Sequence, residues 1–144
     1  MGTRSLTHIH EDDGSVLLTF YKQHDGYPSG WGKELAEFLA PISIVNGLSG
    51  DNKPVANGMG CLAAQILAHF KDGPGQFYVY PANSSDCGEE YTYHIELPAH
   101  ARLGLPRREG MGVVLRVMDN TVTVFTGSPA DFLAFIEEQS KQEA

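Results

Sequence analysis

The chain of 144 residues is long enough for one domain with a single hydrophobic core. Its net charge of −8 argues against general nucleic-acid binding, because such binding depends on basic side chains that neutralise phosphates. Hydrophobic residues make up 42% and charged residues 19%, as in ordinary globular proteins and unlike disordered ones. We therefore expect one domain over residues 1–144, with 137–144 as a frayed C-terminal tail.

Cysteine usage and hydropathy predict the compartment. The two cysteines, Cys61 and Cys87, are too few for a disulfide framework. The N-terminus lacks the apolar segment of a signal peptide, and no apolar run approaches membrane-spanning length. We expect a cytoplasmic protein that does not bind membranes.

The first third of the chain predicts a hairpin followed by a helix. Residues 4–10 and 16–24 are rich in strand-forming residues, and Asp13-Gly14 between them is a strong turn signal. Apolar side chains recur at helical spacing from Trp31 to Ala40, and Pro41 is a natural stop.

The remainder predicts a second helix, four strands and a third helix. Turn-forming residues fill 41–60, and a helix is expected from Cys61 to about Lys71. Strands are expected at 76–80, 90–97, 113–118 and 121–125, and a last helix is capped by Ser128. The order ββααββββα predicts an α+β fold with a mostly antiparallel sheet of five or six strands and about three helices packed on it.

The segment from Asp25 to Leu35 joins the hairpin to the first helix and is dense in glycine, proline and aromatic residues. Together with the N-terminal Thr-Arg strand it resembles a family of small, largely uncharacterised phage and bacterial proteins with a Tyr-x-x-x-Asp-Gly-Tyr-Pro signature. The matching positions are Thr3, Arg4, Tyr21, Asp25, Gly26, Tyr27, Pro28 and Gly30. This resemblance covers only the first third of the chain, and it implies a phage or mobile-element setting and a role against host defence.

The same segment is a candidate ligand site. Tyr27 and Trp31 offer flat faces for a base or a sugar, and the backbone N–H groups of Gly26, Gly30 and Gly32 could face an anion. The alternative is that Trp31 belongs to the core and the glycines only permit the turn.

A group of arginines is the second candidate site. Guanidinium groups bind phosphates and carboxylates in a bidentate manner. Arg116 lies within a predicted strand, where a charge needs a partner. The alternatives to ligand binding are pairing with Glu96, Glu109 or Asp119 and an interface with another copy of the chain. The arginines that fall in one short region are Arg102, Arg107, Arg108 and Arg116.

A catalytic alternative rests on Cys61. A thiol at a helix start gains nucleophilicity, His94 on a later strand could be its base, and Glu96 or Asn83 could orient the imidazole. The order resembles that of papain-like amidases and peptidases in position only. Cysteine is also often a small buried residue.

Metal binding is the weakest alternative. His8 and His10 share one face of a strand, and Asp25 or Glu11 could add a carboxylate. Hairpin pairing, however, places His24 at the opposite end from His10, which makes a compact site hard to build. We therefore expect no metal site and no cofactor.

The sequence favours a binding protein over an enzyme. The protein would sequester or sense an anionic, nucleotide-like small molecule stacked on Tyr27 or Trp31 and held by Arg107, Arg108 or Arg116, and it would form a homo-oligomer. The alternatives are a hydrolase or amidase that uses Cys61 and His94, and a protein-interaction module that inhibits a host protein.

Overall fold

The computed structural model describes residues 2–45, 54–98 and 111–143. The helices are α1 (Lys33–Leu39), α2 (Gly58–Phe70) and α3 (Pro129–Glu143), and a π-helical turn, Pro28–Gly32, precedes α1. The strands are β1 (Ser5–His10), β2 (Val16–Lys22), β3 (Ser43–Val45), β4 (Val55–Asn57), β5 (Phe77–Tyr80), β6 (Tyr91–Glu96), β7 (Val114–Asp119) and β8 (Val122–Gly127). None of the helices in these ranges is long and apolar enough to cross a bilayer.

The main sheet has six strands in the order β5-β2-β1-β6-β7-β8, which confirms the predicted α+β class. Four of its strand pairs are antiparallel, including the predicted hairpin of β1 and β2 and the hairpin of β7 and β8. The central pair, β1 with β6, is parallel, with Ser5 opposite Tyr91 and Ile9 opposite Ile95. The sheet is therefore mixed, although mostly antiparallel.

Three features of the secondary structure differ from those expected. Two short parallel strands, β3 and β4, lie within the predicted loop 41–60, because Ile44 and Ala56 are buried apolar residues among turn formers. A strand of three residues is too short to show an alternating pattern. Helix α2 begins at Gly58 rather than Cys61, and α3 continues to Glu143 where a frayed tail was expected from residue 137.

All three helices pack on one face of the main sheet. The side chains that point to this face alternate along each central strand, for example Tyr93 and Ile95 on β6 and Leu115 and Val117 on β7. They form one core with buried helix residues, among them Leu35, Leu39, Leu62, Ile66 and Phe132.

Contacts with β1 and β6 hold the turn between β2 and α1 in place. Asp25 adopts a left-handed backbone conformation (φ 58°), and Gly26 lies so close to β1 that a Cβ atom there would fall 2.7 Å from the Ser5 Cβ. The Tyr93 hydroxyl donates a hydrogen bond of 2.7 Å to the Gly26 carbonyl. The segment from Asp25 to Leu35 is thus a framework element that ties α1 to the centre of the sheet.

Candidate functional site

The sheet face opposite the helices collects polar side chains. The strand registers place Thr19, His8, His94 and Arg116 directly opposite one another on β2, β1, β6 and β7. His10 and Glu96 lie two residues further along β1 and β6 and therefore share this face. We call the surface formed by His8, His10, His94, Glu96 and Arg116 the histidine face.

Two imidazoles and a carboxylate meet at one end of the histidine face. His10 Nε2 lies 2.8 Å from His94 Nδ1 and 3.6 Å from Glu96 Oε1. The other His10 nitrogen, Nδ1, lies 2.9 Å from the Gly14 carbonyl oxygen in the β1–β2 turn. The potential ligand atoms of His10, His94 and Glu96 all lie within 4.8 Å of one another.

Arg116 pairs with Glu96 across β6 and β7. Its Nη2 donates to Glu96 Oε1 at 3.0 Å, and its Nη1 donates to the Met118 sulfur at 3.5 Å. Glu96 is one of the three carboxylates that the sequence offered as partners of Arg116, and another of them, Glu109, lies outside the described residues. The Arg116 side chain remains 30% exposed, so solvent still reaches the guanidinium.

His8 connects the histidine face to the neighbouring strand. Its Nδ1 lies 2.8 Å from Thr19 Oγ1, which also accepts a hydrogen bond from the Asn83 backbone N–H. The His8 ring stacks on His94 with 5.0 Å between centroids. Burial lowers the pKa of His8, and the charge of His10 lowers it further.

His94 is the most perturbed group of the cluster. Burial, together with the charges of Arg116, His8 and His10, lowers its pKa from 6.5 to about 3. Its ring is therefore neutral at physiological pH, and one ring nitrogen carries a lone pair while the other carries a proton.

The segment from Asp25 to Leu35 does not present the predicted aromatic platform. Trp31 is only 1% exposed, and its indole N–H donates to Thr7 Oγ1 at 2.9 Å within the core. Tyr27 is 39% exposed, but it lies beside α3 on the helix side of the sheet, away from Arg116. The described part of the chain therefore does not unite Tyr27, Trp31 and Arg116 in one site.

The glycine amides of that segment also have backbone partners. The N–H of Gly26 donates to Thr3, and those of Gly30 and Gly32 donate to the Tyr27 carbonyl. An anion at this turn would have to break these hydrogen bonds. The structure thus agrees with the alternative in which Trp31 is core and the glycines allow the turn.

Cys61 and His94 lie on different sides of the main sheet. Cys61 is exposed on α2, and its thiol donates to Gln65 Oε1 at 3.3 Å. Because α2 packs on the helix face and the His94 ring points to the histidine face, the thiol and the imidazole do not form a pair. The backbone N–H of Asn83, the other suggested orienting residue, donates a hydrogen bond to Thr19 Oγ1.

Arg102, Arg107 and Arg108 lie outside the described residues. The described chain stops at Pro98, two residues beyond Glu96, and resumes at Met111 before β7. Their part in the predicted site stays a prediction.

Cavities on the helix side of the sheet include one of about 180 Å³ beside Lys22 and Trp31, and two larger ones. One of about 460 Å³ adjoins Tyr27 and is lined mainly by aromatic and polar residues, including Tyr91, Asp119 and Phe132. A larger groove of about 680 Å³ between α1 and α2 is lined by Glu34, Glu37, Phe38, His69 and Phe70, among others. Neither is lined by a lysine or arginine among the described residues, so the two cavities offer an anion no cationic partner.

Sequence reasoning considered every residue of the histidine face but divided them among three different hypotheses. His8 and His10 belonged to a metal site, His94 and Glu96 to a cysteine hydrolase, and Arg116 to an anion site. The parallel pairing of β1 with β6 joins them, and the alternation of Thr92, His94 and Glu96 along β6 was the signal that polar residues share one face of that strand.

No protein-family model, curated protein or solved structure matches this chain. The resemblance to small phage and bacterial proteins therefore stays a prediction. The proposed function is therefore based on the geometry of the histidine face.

Proposed function

We propose that the protein binds a small molecule through an anionic group, a phosphate or a carboxylate, at the histidine face. The observation that supports this proposal most directly is the position of Arg116. Its side chain is partly exposed, it lies directly opposite His94 on the neighbouring strand, and one of its nitrogens donates to a thioether sulfur. Sulfur is a weak acceptor, so an anionic oxygen would be a better partner for that nitrogen.

The surroundings of Arg116 favour the same class of ligand. Glu96 balances one positive charge, and the imidazoles of His8 and His94 each carry one ring N–H donor in their neutral form. The chain as a whole is acidic, with a net charge of −8, so this concentration of nitrogen donors on one sheet face differs from its overall character.

The proposal specifies the charge of the ligand but not its shape. Trp31 is buried and Tyr27 lies on the helix side, so neither supports the stacked nucleobase that the sequence suggested. We therefore propose an anionic group as the recognised feature. The nucleotide, its sequestration in a phage setting and the homo-oligomer stay predictions.

The proposal is tested by titrating the chelator-treated protein with inorganic phosphate and with nucleoside phosphates. Binding is followed by calorimetry and by the imidazole resonances in NMR spectra. We expect Arg116→Ala to weaken binding about 10- to 100-fold, because a charged hydrogen bond contributes about 1.5–3 kcal/mol. The affinity of Arg116→Lys should lie between those of the wild type and Arg116→Ala, since lysine keeps the charge but lacks the guanidinium fork.

Lys33→Ala is the matched control, because it also removes one positive charge but from the exposed surface of α1. It should bind as the wild type does. Equal affinities of the wild type and Arg116→Ala would refute the proposal, as would a ligand that shifts resonances beside Tyr27 and leaves those of His94 unchanged.

A further inference from the structure

We propose that His10, His94 and Glu96 form a binding site for a divalent transition-metal ion such as zinc. This inference shares His94 and Glu96 with the anion proposal, but it rests on the distances among His10, His94 and Glu96 and not on the Arg116 guanidinium. Residues from two neighbouring strands, β1 and β6, supply the three potential ligands.

The hydrogen bonding of His10 leaves one nitrogen available to a metal. A carbonyl oxygen can only accept, so the contact of 2.9 Å with Gly14 places the proton of neutral His10 on Nδ1. The lone pair on Nε2 then points toward His94 and Glu96. Histidines that bind metals characteristically donate their second N–H to a carbonyl or carboxylate in this way, which fixes the tautomer and the ring.

The distances are close to those of a coordination sphere. Two ligand atoms that each lie about 2.0–2.1 Å from a zinc ion are about 3.3 Å apart at the tetrahedral angle. The His10–His94 nitrogens are 2.8 Å apart, and His10 Nε2 is 3.6 Å from Glu96 Oε1. Small rotations of the two rings and of the Glu96 carboxylate would bring the three atoms around one ion. The ion would replace the proton that His10 and His94 share, and that proton would move to His94 Nε2.

The ligand types select the class of metal. Two imidazole nitrogens with one carboxylate oxygen suit zinc and its first-row neighbours, whereas magnesium and calcium prefer sites made of oxygens alone. The site is also partly shielded, since the side chains of His10 and Glu96 are 10% and 15% exposed. Three protein ligands leave at least one coordination position for a water molecule or another ligand.

Other histidines are placed differently. The Nδ1 of His8 lies against Thr19, and its ring stacks on His94. His24 follows β2 at the opposite end of β1 from His10, as the hairpin register requires. The site is thus built across two strands and not from the His-x-His pair in the sequence.

The test uses the chain of 144 residues, stripped of metal with a chelator, in phosphate-free buffer. Zinc is titrated by calorimetry, and cobalt(II) is added as a spectroscopic probe. We expect binding of one ion per chain, with cobalt absorption bands of a four- or five-coordinate site. His94→Gln should lower zinc affinity at least about 100-fold, because even the loss of an outer partner of a metal ligand costs 10- to 100-fold. Glu96→Gln should lower it at least about 10-fold.

His69→Gln is the control variant, because His69 is an exposed histidine on α2, away from the histidine face. It should bind zinc as the wild type does. A second measurement needs no variant: zinc should shift the imidazole ¹⁵N resonances of His10 and His94 in the wild-type protein. The absence of saturable 1:1 binding, or shifts confined to His24 or His69, would overturn the inference. Anion binding is measured in the presence of chelator, so failure of either proposal leaves the other intact.

Discussion

Replacing His94 with glutamine is expected to remove part of the protein's sensitivity to acid. In the folded chain the pKa of His94 is lowered to about 3 by burial and by the charges of Arg116, His8 and His10, whereas the unfolded chain has the ordinary value near 6.5. Between these values the unfolded state binds a proton that the folded state does not. Stability is therefore fully present above pH 6.5 and is lost as the pH falls toward 3.

The magnitude follows from this gap. Each pH unit below 6.5 costs about 1.4 kcal/mol of unfolding free energy, so the step to pH 5 would cost about 2 kcal/mol. The His94 ring is only partly buried, and solvent screens the neighbouring charges. We therefore expect a loss of about 1–2 kcal/mol from His94 between pH 7 and pH 5. His8 acts in the same direction, because burial also lowers its pKa.

Urea unfolding at pH 7, 6 and 5, with chelator present, measures this contribution. The wild type should lose about 1–2 kcal/mol more than His94→Gln over this interval. His69→Gln, which removes an exposed histidine, should lose as much as the wild type. Equal losses in the wild type and in His94→Gln would refute the reasoning, and so would an NMR titration that gives His94 a pKa near 6.5.

Three further substitutions test the framework around this site. Thr7→Val leaves the buried indole N–H of Trp31 without its acceptor and should lower the unfolding free energy by about 1–3 kcal/mol in urea titrations. Gly32→Ala places a Cβ atom 3.0 Å from the Tyr93 hydroxyl and should cost about 1–3 kcal/mol by overpacking, seen as a lower Tm. Cys61→Ser should change stability by no more than about 0.5 kcal/mol and leave anion and zinc binding unchanged in calorimetry, because the thiol is exposed on α2.

Local signals in the sequence were sufficient for most of the elements. Asp13-Gly14 and Asn120 lie at the turns of the two hairpins, and Gly14 and Asn120 both have the positive φ that tight turns use. Ser128 accepts the N–H of Asp131 at 3.1 Å, as expected of a residue that caps α3. Each of these features depends on a few consecutive residues, and periodicity or turn chemistry therefore reveals it.

The candidate site could not be assembled from the sequence, because it depends on a pairing between distant segments. His10 and His94 are 84 positions apart, and their contact requires β1 to run parallel to β6 in one particular register. A shift of one residue would turn His94 to the helix side of the sheet. No local pattern encodes that choice, which arises when the hydrophobic faces of both strands pack against the same helices.

Strand β6 has consequences for how variants in this protein should be interpreted. Its odd-numbered side chain Tyr93 holds the Gly26 carbonyl and packs against Gly32, while His94 and Glu96 project from the opposite surface. One short backbone therefore sets the position of both the turn before α1 and the imidazole–carboxylate group. A substitution at Gly26 or Gly32 that shifts β6 by even a fraction of an ångström would also alter the spacing between His94 and His10. A substitution in the glycine-rich turn can thus impair ligand binding on the opposite face of the sheet, although the substituted residue does not contact the ligand.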